Sequence, residues 1–340
     1  MNAVSQSDTD PSAAGFGTSA AGLHPPQGSG GRVRSAEPQA DAVFVKKLNR
    51  IFFDVEAEQY DDQHPEILAG EADWWISSCE KLVQDLKSSS NGSGLAILDI
   101  GCGTGFVSSV LSTLLVEGDL MIGLDQSEGM LKRARSKVPA DKVTVCRFAR
   151  GDAANLQFVD QSFHMLTVNA FLHHVYDYRS VLSEIDRVLK PGGYVVLAHE
   201  PNKAFFQSPV IRAAASAWKL IGFGVKVPKK SCDKINARLR ESHLTASDVH
   251  HDEILRLVEY HSPVEQKPIG IDKSKGFSLQ EFLDQELRGY TVVEVNEYST
   301  FYHRPLLERY PRLMRLAKTA ENLFSGTGNL FSAVLRKAAA

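Results

Sequence analysis

Between residues 95 and 198 short aliphatic runs alternate with amphipathic stretches, and no other feature constrains the chain as strongly. The runs at 95–100, 120–124, 143–148, 164–168 and 194–198 are too short for helices and show no polar face. Residues 106–115, 130–138 and 181–189 instead repeat apolar side chains at helical spacing. Strands apolar on both faces and separated by helices predict an α/β fold with a doubly wound, mostly parallel sheet. Such a sheet binds its ligand beyond the carboxyl ends of the strands, where strand order reverses.

The flanking sequence reads differently. Residues 1–40 are rich in Ser, Ala, Gly and Pro and supply few large apolar side chains, so a disordered tail is expected. Two helices should follow within 41–90: one carries Phe44, Leu48, Ile51, Phe52 and Val55, and one across 65–87 carries Ile67, Leu68, Trp74, Trp75, Ile76 and Leu82. Between them, Phe53-Asp54 and Tyr60-Asp61 read as a turn. After Pro201 the alternation stops until a strand pattern returns at 291–297 and again at 331–335, with a helix-containing link across 304–324. We therefore expect a core of 91–202 and 289–337, an N-terminal helical cover, and a helical insertion over 203–288 that caps the substrate site. Apolar residues of that insertion (Phe205, Phe206, Trp218, Ile221, Phe223) suit either ordinary packing or an acceptor with a hydrophobic body.

Composition narrows the class of protein. With 340 residues, 43% of them apolar, the chain can bury a large core. Its four cysteines are scattered without a CxxC pair, which suits a reducing, cytoplasmic setting and indicates neither a disulfide framework nor zinc. A net charge of -3 offers nucleic acid no general attraction, and no apolar run approaches the roughly 20 residues of a membrane span. The basic stretch 226–240 lacks interleaved aromatics and reads as a solvated face or mobile lid. His250, His251 and His261 with Asp252 and Glu253 fit no standard ligand spacing, so no metal is expected.

The sharpest motif is Leu98-Asp99-Ile100-Gly101-Cys102-Gly103-Thr104-Gly105, placed where the first strand gives way to a helix. Its glycines let a ligand approach the backbone, and free amides at the helix start favour an anionic group. A nicotinamide fingerprint would place a third glycine at Phe106, where this chain has none. Asp125 closes the second strand, positioned to accept hydrogen bonds from ribose hydroxyls.

With Gly123-Leu124-Asp125-Gln126-Ser127, Gly151-Asp152-Ala153, Asn169 to Val175 and Leu189-Lys190-Pro191-Gly192-Gly193, this turn resembles the motif series of the class I S-adenosylmethionine-dependent methyltransferases, particularly those acting on small molecules. The resemblance implies a seven-stranded Rossmann-like sheet and S-adenosylmethionine as cofactor. It implies that Asp99, Gly101, Cys102, Gly103 and Gly105 cradle the methionine and ribose portion and that Asp125 holds the ribose. Asp152 would accept from the adenine amino group, with Gln126 and Ala153 flanking the ring and Asn169 on the loop after the fourth strand. Tyr60 would lay its ring near the sulfonium; hinge packing is the plainer alternative.

Methyl transfer is an in-line displacement, so alignment and exclusion of water supply much of the acceleration. A base is needed only where the acceptor must lose a proton. His173, His174, His199 and Glu200 end the fourth and fifth strands and are the candidates, either for that role or for touching substrate. The fourth-strand loop lacks the Asn-Pro-Pro run of base-amine methyltransferases, which disfavours nucleic acid as substrate. A catalytically silent cofactor-binding relative and a nicotinamide oxidoreductase stay open as alternatives.

Overall fold

A computed structural model describes residues 42–63, 71–90, 93–207, 228–263, 274–298 and 328–339. The expected tail, Ile67 and Leu68, Trp218, Ile221, Phe223, Lys226 and the link at 304–324 lie outside the described residues.

Seven strands form one sheet in the order β3-β2-β1-β4-β5-β7-β6. They are β1 (Ala96–Ile100), β2 (Leu120–Asp125), β3 (Cys146–Arg150), β4 (Phe163–Asn169), β5 (Leu189–Pro201), β6 (Tyr290–Tyr298) and β7 (Leu330–Lys337). The first five pair in parallel, and β7 inserts antiparallel between β5 and β6. Strand order reverses between β1 and β4, so the crevice opens above their carboxyl ends.

Alternate residues of each strand feed opposite faces. Leu98, Ile100, Leu166, Val168, Val195 and Leu197 join one buried cluster, while Ile97, Met121, Met165, Tyr194 and Val196 join the other. Helices cover both clusters, which is why these strands read as continuous apolar runs. On the second face lie α3 (Ala72–Ser89) and α4 (Phe106–Ser112), following α1 (Ala42–Glu56) and the single turn α2 (Tyr60–Gln63). Along the chain come α5 (Glu128–Lys137), α6 (Tyr178–Val188), α7 (Lys203–Gln207), α8 (Lys229–Glu241), α9 (His251–Val258) and α10 (Leu279–Gln285).

Three departures from the expected elements have a visible physical cause. Phe53 and Asp54 belong to α1, and Tyr60 and Asp61 begin α2, so the expected turn shrinks to the residues between them. The cause is tertiary: Asp54 Oδ1 accepts from Ser127 Oγ and the Gly129 amide, and Asp61 Oδ1 accepts from Thr104 Oγ1, which fixes both helix ends against the core. β3 starts at Cys146 because Pro139 initiates a 3-10 turn whose following residues leave Val143 exposed. In β5 the register with β7 slips between Leu197 and Glu200, with His199 at φ +60°. The strand bulges there.

The N-terminal cover and part of the insertion form one cap. Val45, Leu48, Ile51 and Val55 of α1 pack with Ile235 and Leu239 of α8 and with Ile254, Leu257 and Val258 of α9. Each such side chain, fully buried, contributes about 1.5–3 kcal/mol. The lysines of α8 stay outside this cluster, in keeping with a solvated outer face.

Gly105 adopts φ +82° at the start of α4, and a Cβ there would sit 2.8 Å from Ala134 Cα. Gly118 adopts φ +94° with nothing within 4 Å. Gly118→Ala should therefore lose only about 1 kcal/mol of backbone strain, whereas Gly105→Ala should lose at least about 2 kcal/mol, as measured by chemical denaturation.

Candidate active site

Above the carboxyl ends of β1, β2 and β4 lies a cavity of about 270 Å³. Its floor is the glycine turn, and main-chain bonds lock that turn to the next strand. The Cys102 amide donates to the Leu124 carbonyl at 3.0 Å, and the Gly103 amide donates to Asp125 Oδ2 at 3.0 Å. Asp125 Oδ1 accepts from the Ser127 amide, and the Gly151 amide donates to the Asp125 carbonyl. The tips of β1, β2 and β3 are thus one bonded unit.

Asp99, Gly101, Cys102 and Gly103 line the cavity, as do Asp125 and Gln126. Asp152, Ala153, Asn169 and Tyr60 also lie on its wall. Gly105 does not; its left-handed backbone and contact with Ala134 make it a packing glycine. Gly101 needs its hydrogen for a different reason, since a Cβ would fall 2.1 Å from the Phe171 ring. Gly103 faces open space instead: its nearest neighbour to a Cβ would be 4.0 Å away. That is the space a ligand pressed on the turn would take.

Electrostatics distinguish the acids. Asp99 is buried, accepting from Ser108 Oγ at 2.6 Å and Thr167 Oγ1 at 2.9 Å. Burial pushes its carboxyl up to about 6 despite these donors. Both its oxygens are committed to protein, so it braces the β1 tip. Burial also pushes Asp125 up to about 6, against the Ser127 and Gly103 amides, and the nearby Asp54 carboxylate adds to the rise. Asp152 Oδ2 pairs with Lys46 Nζ of α1, and Oδ1 accepts from the Ala154 amide. This ammonium occupies the carboxylate that the resemblance gives to an adenine amino group, and both partners are exposed enough for the pair to be weak and displaceable.

The four candidates at the strand ends separate. Only His174 lines the cavity. Its Nδ1–H donates to the Val258 carbonyl at 3.0 Å, which leaves Nε2 as an acceptor, and burial followed by repulsion from His173 lowers it to about 4. His173 lies behind it. Burial disfavours its charge, but the Glu200 carboxylate, bonded to Nδ1 at 2.9 Å, and Glu259 outweigh burial and raise its pKa. Glu200 is wholly buried and accepts the Phe171, Leu172 and His173 amides. It shapes the loop and has no surface on the cavity, so the expectation that it touches substrate is corrected. His199 is likewise off the cavity, with its Nδ1 bonded to Glu71 Oε1 and its amide donating to Tyr298 Oη. Its bulged, left-handed backbone turns it toward α3.

Among the described residues, two groups bring three metal-type ligand atoms within 4.8 Å: His173, His174 and Glu259, and His250, His251 and Asp252. In the first, both Nδ1 atoms are already bonded to protein acceptors. The second sits at the exposed start of α9.

Lys46, Asn49 and Phe53 also line the cavity, and the sequence did not single out the first two. With Ala42 they recur along one face of α1, a helical signal that was available. Polar members of an otherwise amphipathic helix read as solvent-facing until the partner of that face is known. Phe53 completes an aromatic wall, 6.4 Å from Tyr60 and 5.1 Å from His174 between ring centroids. Phe171 and Tyr176 extend it.

Residues 98–197 match a family described as the methyltransferase domain. Over those residues the chain is similar to methyltransferase domains. A demethylmenaquinone methyltransferase of Lactococcus lactis is 36% identical over 154 residues, covering 45% of this chain and 58% of that protein. A protein of the same name from Shouchella clausii is 43% identical over 103 residues, covering 30% of this chain and 44% of its own. The chain thus spans about half the length of the curated relatives it matches. A solved S-adenosylmethionine-dependent methyltransferase from Mesorhizobium loti superposes with a TM-score of 0.43 at 20% identity, covering 79% of this chain and 100% of its own.

The residues present fit that cofactor. Gly103 leaves room on the turn, Asp125 retains lone pairs beside it, and Asn169 Oδ1 is buried on the wall without a partner, ready for a donor. Because Asp125 takes up a proton near pH 6, affinity for S-adenosylhomocysteine should hold above pH 7 and fall about tenfold between pH 7 and pH 5. Calorimetry on Asp125→Asn should show weaker binding with that pH dependence removed.

Proposed function

We propose that this protein transfers the methyl group of S-adenosylmethionine to a small, largely planar acceptor that carries a hydroxyl group. One observation carries this reading: the 3.0 Å bond from the Gly103 amide to Asp125 makes the glycine turn and the ribose acid two sides of a single nucleoside-sized niche, with an aromatic wall facing it. The relatives carry the name demethylmenaquinone methyltransferase, which points toward an acceptor built on a planar quinone-type ring.

When bound, the cofactor supplies an activated methyl on a sulfonium, the leaving group of the displacement. The protein's part is placement. Asp125 and the turn fix the nucleoside, and Asp152 exchanges its lysine partner for the adenine amine. Tyr60 and Phe53 offer ring faces that tolerate a cation and exclude water. His174, neutral at physiological pH, accepts a hydrogen bond from the acceptor at Nε2 and orients it. With a pKa lowered to about 4 it holds a proton only in acid, so net proton removal falls to solvent.

No helix among the described residues is long and apolar enough to cross a membrane. The four cysteines are free and buried, which supports a cytoplasmic setting.

The direct test incubates the protein with S-adenosylmethionine and a chemically reduced naphthoquinol bearing one prenyl chain, reading the methylated product by mass spectrometry. Product is expected from the wild type and a loss of at least about tenfold in kcat/KM from Asp125→Ala. No binding of S-adenosylhomocysteine by the wild type would sink the reading. His174→Ala should lower kcat/KM about tenfold, and the wild-type rate should lack any ionisation between pH 6 and pH 8 attributable to this imidazole.

A further inference from the structure

Asn49 is 3% exposed and lies on the wall of the cavity, in the middle of the α1 face that carries Lys46 and Phe53. Its Nδ2 donates to the Val45 carbonyl at 3.1 Å, one helical turn back. That bond fixes the orientation of the amide, because turning it over would set two oxygens against each other. The other end of the group, Oδ1, is buried and has no hydrogen-bond partner.

A buried acceptor without a donor destabilises the folded chain, and native proteins seldom keep one. Sequence alone gives no reason for it here. The neighbouring positions of α1 that face the cap are Val45, Leu48 and Ile51, all apolar, and a leucine at position 49 would suit the same helix. An unpaired amide at a cavity wall makes sense if a ligand brings the missing N–H or O–H.

On the reading above, the cofactor's donors would find acceptors on the sheet side of the cavity: the ribose hydroxyls at Asp125, the adenine amine at Asp152 and the ammonium at Asn169 Oδ1. Asn49 comes from the cap, between Lys46, which touches Asp152, and Phe53, which touches His174. We propose that Asn49 is a specificity-determining residue: its carboxamide oxygen accepts a hydrogen bond from a hydroxyl on the methyl acceptor, and so selects hydroxylated aromatics over their capped analogues. This rests on the methyltransferase reading above and adds to it the residue that reads the acceptor.

The physical signature is opposite effects on the free and bound protein. A site built around a substrate hydroxyl rejects the analogue that lacks it, whereas an apolar site does not. The test uses the full chain, with wild type, Asn49→Leu and Asn49→Ser. A serine there can donate to Val45 as the amide does and keep lone pairs for a ligand. Calorimetry measures S-adenosylhomocysteine first, then 1-naphthol and 1-methoxynaphthalene binding to the S-adenosylhomocysteine complex; thermal melting is followed without ligand.

The wild-type complex is expected to prefer naphthol over methoxynaphthalene by about tenfold, the equivalent of one hydrogen bond. Asn49→Leu should lose that preference, bind S-adenosylhomocysteine within about twofold of wild type, and melt no lower in the absence of ligand. Asn49→Ser should keep most of the preference. Equal wild-type affinity for the two naphthalenes, an unchanged preference in Asn49→Leu, or a loss confined to S-adenosylhomocysteine would each overturn the assignment. A wild type that fails to bind S-adenosylhomocysteine would instead remove the methyltransferase reading on which the proposal stands.

Discussion

The site depends on one kind of interaction: a carboxylate accepting main-chain amides that the strand ends leave exposed. At the end of a parallel strand the chain must turn, and its N–H groups lose their ladder partners. Asp125 takes the Gly103 and Ser127 amides, Asp54 takes the Gly129 amide, and Glu200 takes three successive amides of the loop after β4. Asp119 does the same at the opposite end of the sheet, accepting the Leu95 and Val116 amides. Charge-assisted bonds of this type are stronger than neutral ones and set loop geometry closely. The glycine turn has the shape it has because an acid on the adjacent strand holds it.

The cap is bound to this frame at both of its feet. Asp54 and Asp61 fasten α1 and α2 to the start of α5 and to the glycine turn, with Lys137 bonded to both Asp61 and Thr104. At the other foot, the His174 imidazole donates to the Val258 carbonyl, and the His261 amide donates to the His173 carbonyl. Both attachments are polar and sit beside the cavity, while the interior of the cap is apolar.

Much of this was legible in the sequence. The parallel strands announced themselves because both faces are buried, and the glycine turn with Asp125 marked the niche because those residue types are required there. Residues whose role depends on a distant partner were not legible. Lys46 and Asn49 look solvent-facing on α1 until the sheet is placed beneath them, and Val143 looks like strand until Pro139 is seen to start a turn. His199 and Glu200 were adjacent candidates for one task, and nothing in their identities tells that one braces a loop while the other turns toward α3.

That difference traces to the irregularity in β5. Leu197 lies opposite Ala333 and Glu200 opposite Phe331, so three steps on one strand match two on its neighbour. Side chains alternate along a strand, and the extra residue reverses the parity. Glu200 thereby shares a face with Leu197, the face on which the loop amides wait. Flattening the bulge at unchanged length would put Glu200 three regular steps from Leu197 and deliver the acid to the wrong side, whereas deleting one residue from Ala198-His199 would leave it two steps away and on the same face. A related chain with one residue fewer here can therefore keep its acid under the same loop with a flat strand, whereas one with a further inserted residue must widen the bulge or lose that bracing.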